Sequence, residues 1–357
     1  MPKRLIQQKK RRRRPSGARR AARTLYRTLV VLSALVVILF CAYKALVHAP
    51  EQAPVPTPVT TPEPESGGGT GEEQVATPTP EPLVRKEGFY TFLLTATDEG
   101  GGNTDTIMVA AYDTVNQTVG VVSIPRDTLV DRDFPKINGI YAREGMDGLR
   151  DAVSDLIGIP IDYYIMVGLN GFQRLVNAVD GVDFYIPCDM DYDDPTADPP
   201  LHIHYTEGMT HLDGQEAMEV VRFRHNNDGS GYTDVGRAQT QRDLIVAVAK
   251  KALASPGKIG TYVDIFMENV KTDLSATDIA WLAEQALGVD LDSGVSTATL
   301  PGDGQAKYNG YSYCYELDQE ACLELFNQLL NPYTTQITLD MSNMFQVPCH
   351  KEGLTGG

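Results

Sequence analysis

Arginine recurs in this chain at places and spacings that suit phosphate chemistry. Arg126 and Asp127 sit in Ser123-Ile124-Pro125-Arg126-Asp127-Thr128, directly after the apolar run Val119–Val122. The run reads as a buried strand, and Pro125 cannot donate to a ladder, so pairing should end there. Both charged side chains then leave a stiff strand end, where open α/β sheets usually hold ligands. Arg222 and Arg224 are two apart. They share a direction only on an extended segment, so a common site requires a helix that stops near Arg222. Arg237 and Gln241 are four apart, on one helical face near a helix start that itself favours anions. With Lys136 these make five cations in a strongly acidic domain. A guanidinium grips phosphate in a bidentate fork, so clustered Arg suits a pyrophosphate. Asp98 and Asp105 flank one loop that carries three consecutive glycines. Two carboxylates are hard ligands suited to Mg²⁺ or Mn²⁺, which bridge to substrate phosphates. The combination points to phosphoryl transfer, in which metal and Arg neutralise charge while an oxygen nucleophile attacks in line. The ordinary alternative for each Arg is a salt bridge to a neighbouring acid, Arg126 with Asp127 first among them.

The elements that would position these groups can be read from periodicity. Strands are expected at Phe89–Leu94, Ile107–Tyr112 and Thr118–Val122, the last two as an antiparallel hairpin, and at Asp162–Val167 and Val182–Ile186. Helices are expected at Asp147–Ile157 with its stop at Gly158, at Gly171–Val179, from Asp213 to Arg222 and from Asp234 to Leu253. Further helices fit Ile259–Val270, Ala276–Leu287 and Gln319–Leu329, with strand-like runs at Val295–Leu300 and Thr335–Leu339. The strand-helix-strand order at residues 162–186 implies parallel neighbours. The expected fold class is α/β: a mixed sheet with helices on its faces. Asp189–Pro200 reads as an acidic loop, and it lacks the Gly and Glu of a calcium-binding EF-hand. His202 and His204 would share a strand face with His211 nearby, but no second cluster completes a zinc site. No phosphate-binding Gly-x-x-x-x-Gly-Lys loop, no Gly-x-Ser-x-Gly elbow and no evident nucleophilic Cys is present.

Charge divides the 357 residues sharply. Residues 1–50 hold 13 Lys/Arg and no acid; the rest holds 18 Lys/Arg against 47 acids, a net of −29. Residues 1–27 form a basic arm suited to an anionic membrane surface and the cytoplasmic side. Residues 28–47 read as an uncleaved transmembrane anchor, with Arg27 and Lys44 snorkelling at its ends. Residues 48–86, rich in Pro, Thr, Glu and Gly, read as a disordered linker that holds a domain off the membrane. The folded domain is placed at 87–345 and a tail at 346–357. Five Cys exclude a disulfide scaffold, although Cys314 and Cys322 could pair. The acidity and the expected topology argue against nucleic acid as a partner.

The ordered motifs resemble the LytR-CpsA-Psr (LCP) family over about residues 89–253. They are Leu93–Asp98, Thr104-Asp105-Thr106, Ser123–Thr128, Lys136-Ile137-Asn138, Gly158–Tyr164, Gly181-Val182, Leu212–Ala217, Val221–Arg224 and Asp234–Arg237 followed by Gln241. The resemblance implies an extracytoplasmic phosphotransferase of cell-wall assembly in a monoderm bacterium. Such an enzyme moves a glycopolymer from an undecaprenyl-pyrophosphate donor to a peptidoglycan acceptor through a phosphodiester bond. Carried over by motif, Asp98, Asp105 and Arg126 are catalytic, the two aspartates holding Mg²⁺. Arg126, Lys136, Arg222, Arg224, Arg237 and Gln241 bind pyrophosphate, and the lipid tail lies in an apolar cavity between sheet and helices. Two positions depart from the family pattern. Asn103 replaces an Arg, its amide and the glycine backbone being expected to stand in, and Thr240 replaces an Arg before the glutamine. The runner-up is a non-catalytic lipid- or wall-polymer-binding protein or envelope regulator.

Overall fold

The computed structural model describes residues 47–55, 83–97, 104–197, 200–231 and 234–348. Twelve strands are described: β1 Phe89–Thr97, β2 Thr104–Asp113, β3 Thr118–Ile124, β4 Tyr163–Gly168, β5 Val182–Ile186, β6 Met190–Asp194, β7 Leu201–Tyr205, β8 Gly208–Leu212, β9 Val270–Thr272, β10 Val295–Thr299, β11 Gly302–Tyr308 and β12 Tyr311–Leu317. The described α-helices are α1 Ile140–Ile157, α2 Leu169–Ala178, α3 Gly214–Arg222, α4 Asp234–Leu253, α5 Ile259–Asn269, α6 Ala276–Ala286 and α7 Gln319–Leu329.

The main sheet runs β10-β3-β2-β1-β4-β9. It is mixed as expected: β1–β4 and β3–β10 are parallel, and β1–β2, β2–β3 and β4–β9 are antiparallel. Alternation along the central strands feeds two cores. Phe89, Leu93, Ile107, Val109 and Val122 meet Leu149, Val153 and Leu156 of α1 and Phe326 of α7 on one face. Tyr90, Phe92, Met108, Tyr112 and Val121 meet Leu274, Val289, Ile245 and Trp281 on the other. A third core gathers Val176, Phe184, Ile203, Val220, Phe223 and Leu244 from α2, α3, α4 and the small hairpins.

This pairing brings several element ends to one end of the sheet. The C-terminal ends of β1, β3, β4 and β10 lie there, with the start of β2. Thr97 pairs with Thr104 at that end, after a bulge. The loop between them, with Asp98 and Asn103, lies outside the described residues, as does the side chain of Asp105.

Several sequence expectations are corrected. β4 and β5 are not parallel neighbours: β4 pairs with β1, and β5 leaves the main sheet to pair antiparallel with β8. Its alternating burial shows why, since an interior parallel strand would be covered on both faces. The acidic loop at 189–200 contains β6, which pairs with β7. Its aspartates conceal an alternation in which Met190 is buried and Asp191 and Asp193 face outward. Thr335–Leu339 is not a strand. Asn327 bonds both backbone groups of Ile337, and Asn331 donates to the Thr335 carbonyl, so side chains replace a ladder. Helix α1 starts seven residues earlier than expected, through a kink at Gly145 (φ 74°), and ends on left-handed Gly158 as expected.

The transmembrane segment expected at 28–47 lies almost wholly outside the described residues. Among those described, no helix is long and apolar enough to cross a membrane. Part of the expected linker is docked: Ala53 N–H donates to Asp162 Oδ1 at 2.6 Å, and Gln52 donates to the Phe89 carbonyl. Arg85 pairs with the other oxygen of the buried Asp162. Cys314 and Cys322 are separate buried thiols. Burial pushes the Cys322 thiol up to about 12, which leaves it inert at neutral pH.

Candidate functional site

Pairing along β3 stops at Ile124, one residue before Pro125. The turn that follows is tied on three sides. Thr128 Oγ1 donates to the Pro125 carbonyl at 2.6 Å, Asn138 N–H donates to the Arg126 carbonyl, and Tyr315 N–H donates to the Asp127 carbonyl. Arg126 therefore leaves a braced backbone. Its Nε lies 3.8 Å from Asp127 Oδ2, so the ordinary pairing is present as a long, partly solvated contact. Asp127 Oδ1 takes a shorter bond, 2.9 Å, from Lys136 Nζ. Lys136 also donates to the carbonyls of Ser312 and Tyr313. Those three bonds make Lys136 a brace between the turn and β12.

Helix α3 begins with a capping box in which Asp213 accepts from Gln215 and Glu216. It ends at Arg222, and Phe223 is extended (φ −60°, ψ 133°). That break is the one a shared site requires. Arg222 and Arg224 both line a cavity of about 810 Å³ between the sheet, α2, α3, α4 and α5. Its walls are largely apolar, with Ile165, Phe172, Leu175, Val248 and Phe266 among them. Asp194 also lines it, held below the usual carboxylate range chiefly by the Thr196 hydroxyl, with a smaller contribution from the Arg222 charge.

A second cavity of about 460 Å³ adjoins the strand ends, lined by Arg126, Asp127, Thr299, Gln305, Tyr313 and Tyr315 among others. Gly302 lines it too, and a Cβ there would stand 2.3 Å from the Glu316 carbonyl oxygen. The two cavities share Thr106, Arg237 and Gln241. Arg237 is buried in the first turn of α4. Gln241 is fixed at both ends of its amide. Its Oε1 accepts from Thr106 Oγ1 at 2.8 Å, and its Nε2 donates to the Val221 carbonyl at 3.1 Å. It thus ties β2, α3 and α4 together where the cavities meet.

A model of the LytR_cpsA_psr family matches residues 71–331. The chain belongs to this family. TagU of Bacillus mycoides (strain KBAB4), named a polyisoprenyl-teichoic acid–peptidoglycan teichoic acid transferase, is 33% identical over 66% of this chain and 76% of its own. The crystal structure of B. subtilis TagV is similar with a TM-score of 0.58 and 27% identity, over 67% of this chain and 95% of that one. A structure of TagT bound to LI-WTA gives a TM-score of 0.55 at 23% identity, over 68% of this chain and 91% of that one; at that identity the likeness is one of fold.

In this LytR-CpsA-Psr chain, the structure brings Arg126, Arg222, Arg224, Arg237 and Gln241 to the walls of two joined cavities. It sets Lys136 outside both linings, behind Asp127. Thr240 is buried in α4, and Arg242, two residues on, donates to the Ala298 carbonyl and the Thr299 hydroxyl. Sequence reasoning did not assign Thr106, Gln305, Tyr313 or Tyr315 to a site. Thr106 stood inside a motif already singled out. The other three come from the β11–β12 hairpin, which no periodicity had marked, because half of its residues are exposed and its buried ones, Cys314 and Leu317, do not alternate.

Proposed function

We propose that this chain is an extracytoplasmic transferase that moves a glycopolymer from a polyprenyl-pyrophosphate carrier to peptidoglycan. The carrying observation is the junction of an apolar cavity and a polar one at Arg237, Gln241 and Thr106. A polyprenyl pyrophosphate is apolar along its tail and doubly charged at its head. The helix-walled cavity suits the tail, and Arg222, Arg224 and Arg237 at its polar end suit the head. An acceptor sugar hydroxyl approaching through the second cavity meets the phosphorus attached to the first sugar of the polymer. A new P–O bond forms to the acceptor, the bond to the bridging oxygen breaks, and polyprenyl phosphate leaves with the electron pair. The acceptor proton passes to solvent. Guanidinium groups stabilise the charge that develops on the phosphoryl oxygens.

Asp98 and Asp105 would hold Mg²⁺ or Mn²⁺, as their hard carboxylate oxygens suit these ions. When bound, the ion neutralises pyrophosphate charge. Asp105 is the second residue of β2, and its neighbour Thr106 bonds Gln241 at the junction, which supports this reading. The Asn103 amide and its glycine-rich loop would supply further donors to the phosphate. The teichoic acid donor and peptidoglycan acceptor named for TagU serve as models for the two substrates. The basic arm and the anchor at 28–47 would place the domain outside the cell membrane, the N-terminus staying cytoplasmic.

The test is transfer in vitro: a polyprenyl-pyrophosphate-linked glycan, peptidoglycan and Mg²⁺ incubated with full-length protein, with polyprenyl phosphate and the phosphodiester product measured together. Product in stoichiometric amounts supports the reading. Tight donor binding without turnover at any metal concentration favours the non-catalytic alternative. Protease added to intact protoplasts tests topology; a protected domain would exclude it.

A further inference from the structure

The β6–β7 hairpin gathers a group of side chains that the transfer reaction does not use. Its register places Asp191 opposite His204 and Asp193 opposite His202. All four project from the outer face, because Met190, Leu201 and Ile203 take the inner one. His202 Nδ1 is 2.5 Å from Asp193 Oδ1, and His204 Nδ1 is 2.9 Å from Asp191 Oδ1. A diagonal contact closes the square, with His204 Nε2 3.4 Å from Asp193 Oδ1. Asp193, His202 and His204 each offer a ligand atom within 4.8 Å of the others. Sequence alone set these histidines aside for want of a second cluster; β6 supplies it.

We propose that Asp193, His202 and His204, with Asp191 or water as the fourth ligand, bind a zinc-class divalent ion. Zinc bonds imidazole nitrogen and carboxylate oxygen at about 2.0–2.2 Å, so tetrahedral ligand atoms stand roughly 3.3 Å apart. The diagonal contact already has that spacing, and the remaining ligand atoms need only rotamer changes of exposed side chains. Two carboxylates and two neutral imidazoles carry a net charge that one divalent ion cancels. Two nitrogen donors favour zinc over Mg²⁺ or Ca²⁺, which prefer all-oxygen ligands. The His211–Asp183 pair across β5–β8 makes the same kind of contact, at 2.8 Å, and supplies an internal control with a single imidazole.

The ion would fasten two strands that also wall the large cavity, since Tyr192, Asp194 and Leu201 line it from this hairpin. The hairpin is in turn tied to the loop after Arg224. Asp191 N–H donates to Asn226 Oδ1 at 2.7 Å, and Asp193 N–H donates to Asn227 Oδ1 at 3.2 Å. Bound metal therefore stiffens the wall next to the arginines without touching the reacting groups.

The experiment is calorimetric titration of chelator-stripped full-length protein with ZnCl₂, followed by the visible spectrum with Co²⁺ in its place. About one equivalent of zinc is expected, unaffected by excess Mg²⁺. Replacing both ligands, His202→Ala with His204→Ala, should weaken it by at least roughly 10- to 100-fold, the loss seen when mere supporting residues of metal sites are removed. His211→Ala should bind zinc as the wild type does. The Co²⁺ spectrum should show tetrahedral ligand-field bands that the double variant lacks, and it reads the site in the unmodified chain. No saturable zinc binding by wild type, or equal binding by the double variant, overturns the proposal. An equal loss in His211→Ala moves the site elsewhere and overturns it as well.

Discussion

The two cavities that meet at Arg237 are made of different materials. The larger is walled by helices and apolar strand residues, and its cations stand where helices end or begin. The smaller is walled by strand ends, a braced turn and the β11–β12 hairpin, with aromatic and amide side chains exposed to it. Apolar helical walls can yield to a flexible tail, since individual side chains change rotamer at small cost. A turn whose three carbonyls are each held by a hydrogen bond cannot yield in the same way, and it suits a step in which one oxygen must be aimed at one phosphorus. The contrast suggests that the donor is held by shape and charge, and the acceptor by geometry.

The largest effect should come from the cation that lines both cavities. Arg237→Ala is expected to lower kcat by on the order of 10²–10³, the range for loss of one charge-stabilising donor. A loss confined to donor KM would show that Arg237 belongs to the donor cavity alone. Filling the larger cavity should then separate the two. Ala249 lines that cavity from α4, and Ala249→Trp should raise KM roughly tenfold or more for a long polyprenyl donor and barely change it for a short-chain donor. Equal effects on both donors would mean that the tail lies elsewhere.

Arg126→Lys keeps the charge and loses the fork, so activity should fall roughly tenfold with donor KM little changed. A lysine variant as active as the wild type would reduce Arg126 to a general positive charge. A smaller effect is expected with pH. Burial pushes Cys322, Tyr112 and Tyr333 each up to about 12, from ordinary values of 9.0 for the thiol and 10.0 for the phenols. Between those limits the folded chain holds protons that the unfolded chain has lost, so stability falls as pH rises from about 9 towards 12. The urea midpoint should decline over that interval, and Tyr333→Phe should make the decline shallower. An unchanged midpoint up to pH ~11 would contradict the burial of these groups.

Much of the site was legible because chemistry and strand ends coincide. The break after Arg222 followed from two side chains that share a direction only off a helix, and the structure has Phe223 extended there. Pro125 marked the end of β3 for an equally local reason. Composition cannot distinguish a cation that faces ligand from one that braces a neighbour, and the Lys136 ammonium stands on Asp127 and two carbonyls of β12. Strand β6 was hidden because its outward residues are acidic and its inward ones few. The pairing of β5 with β8 in place of the main sheet depends on contacts across 30 residues, which no local pattern records.

Asp162 joins two segments that lie far apart in the sequence. One of its carboxylate oxygens receives Ala53 N–H and the other Arg85. The second oxygen also accepts from the Thr91 backbone N–H of β1. Removing that one carboxylate would therefore release Ala53 and Arg85 from the sheet together, a loss that a substitution at either end alone would not reproduce.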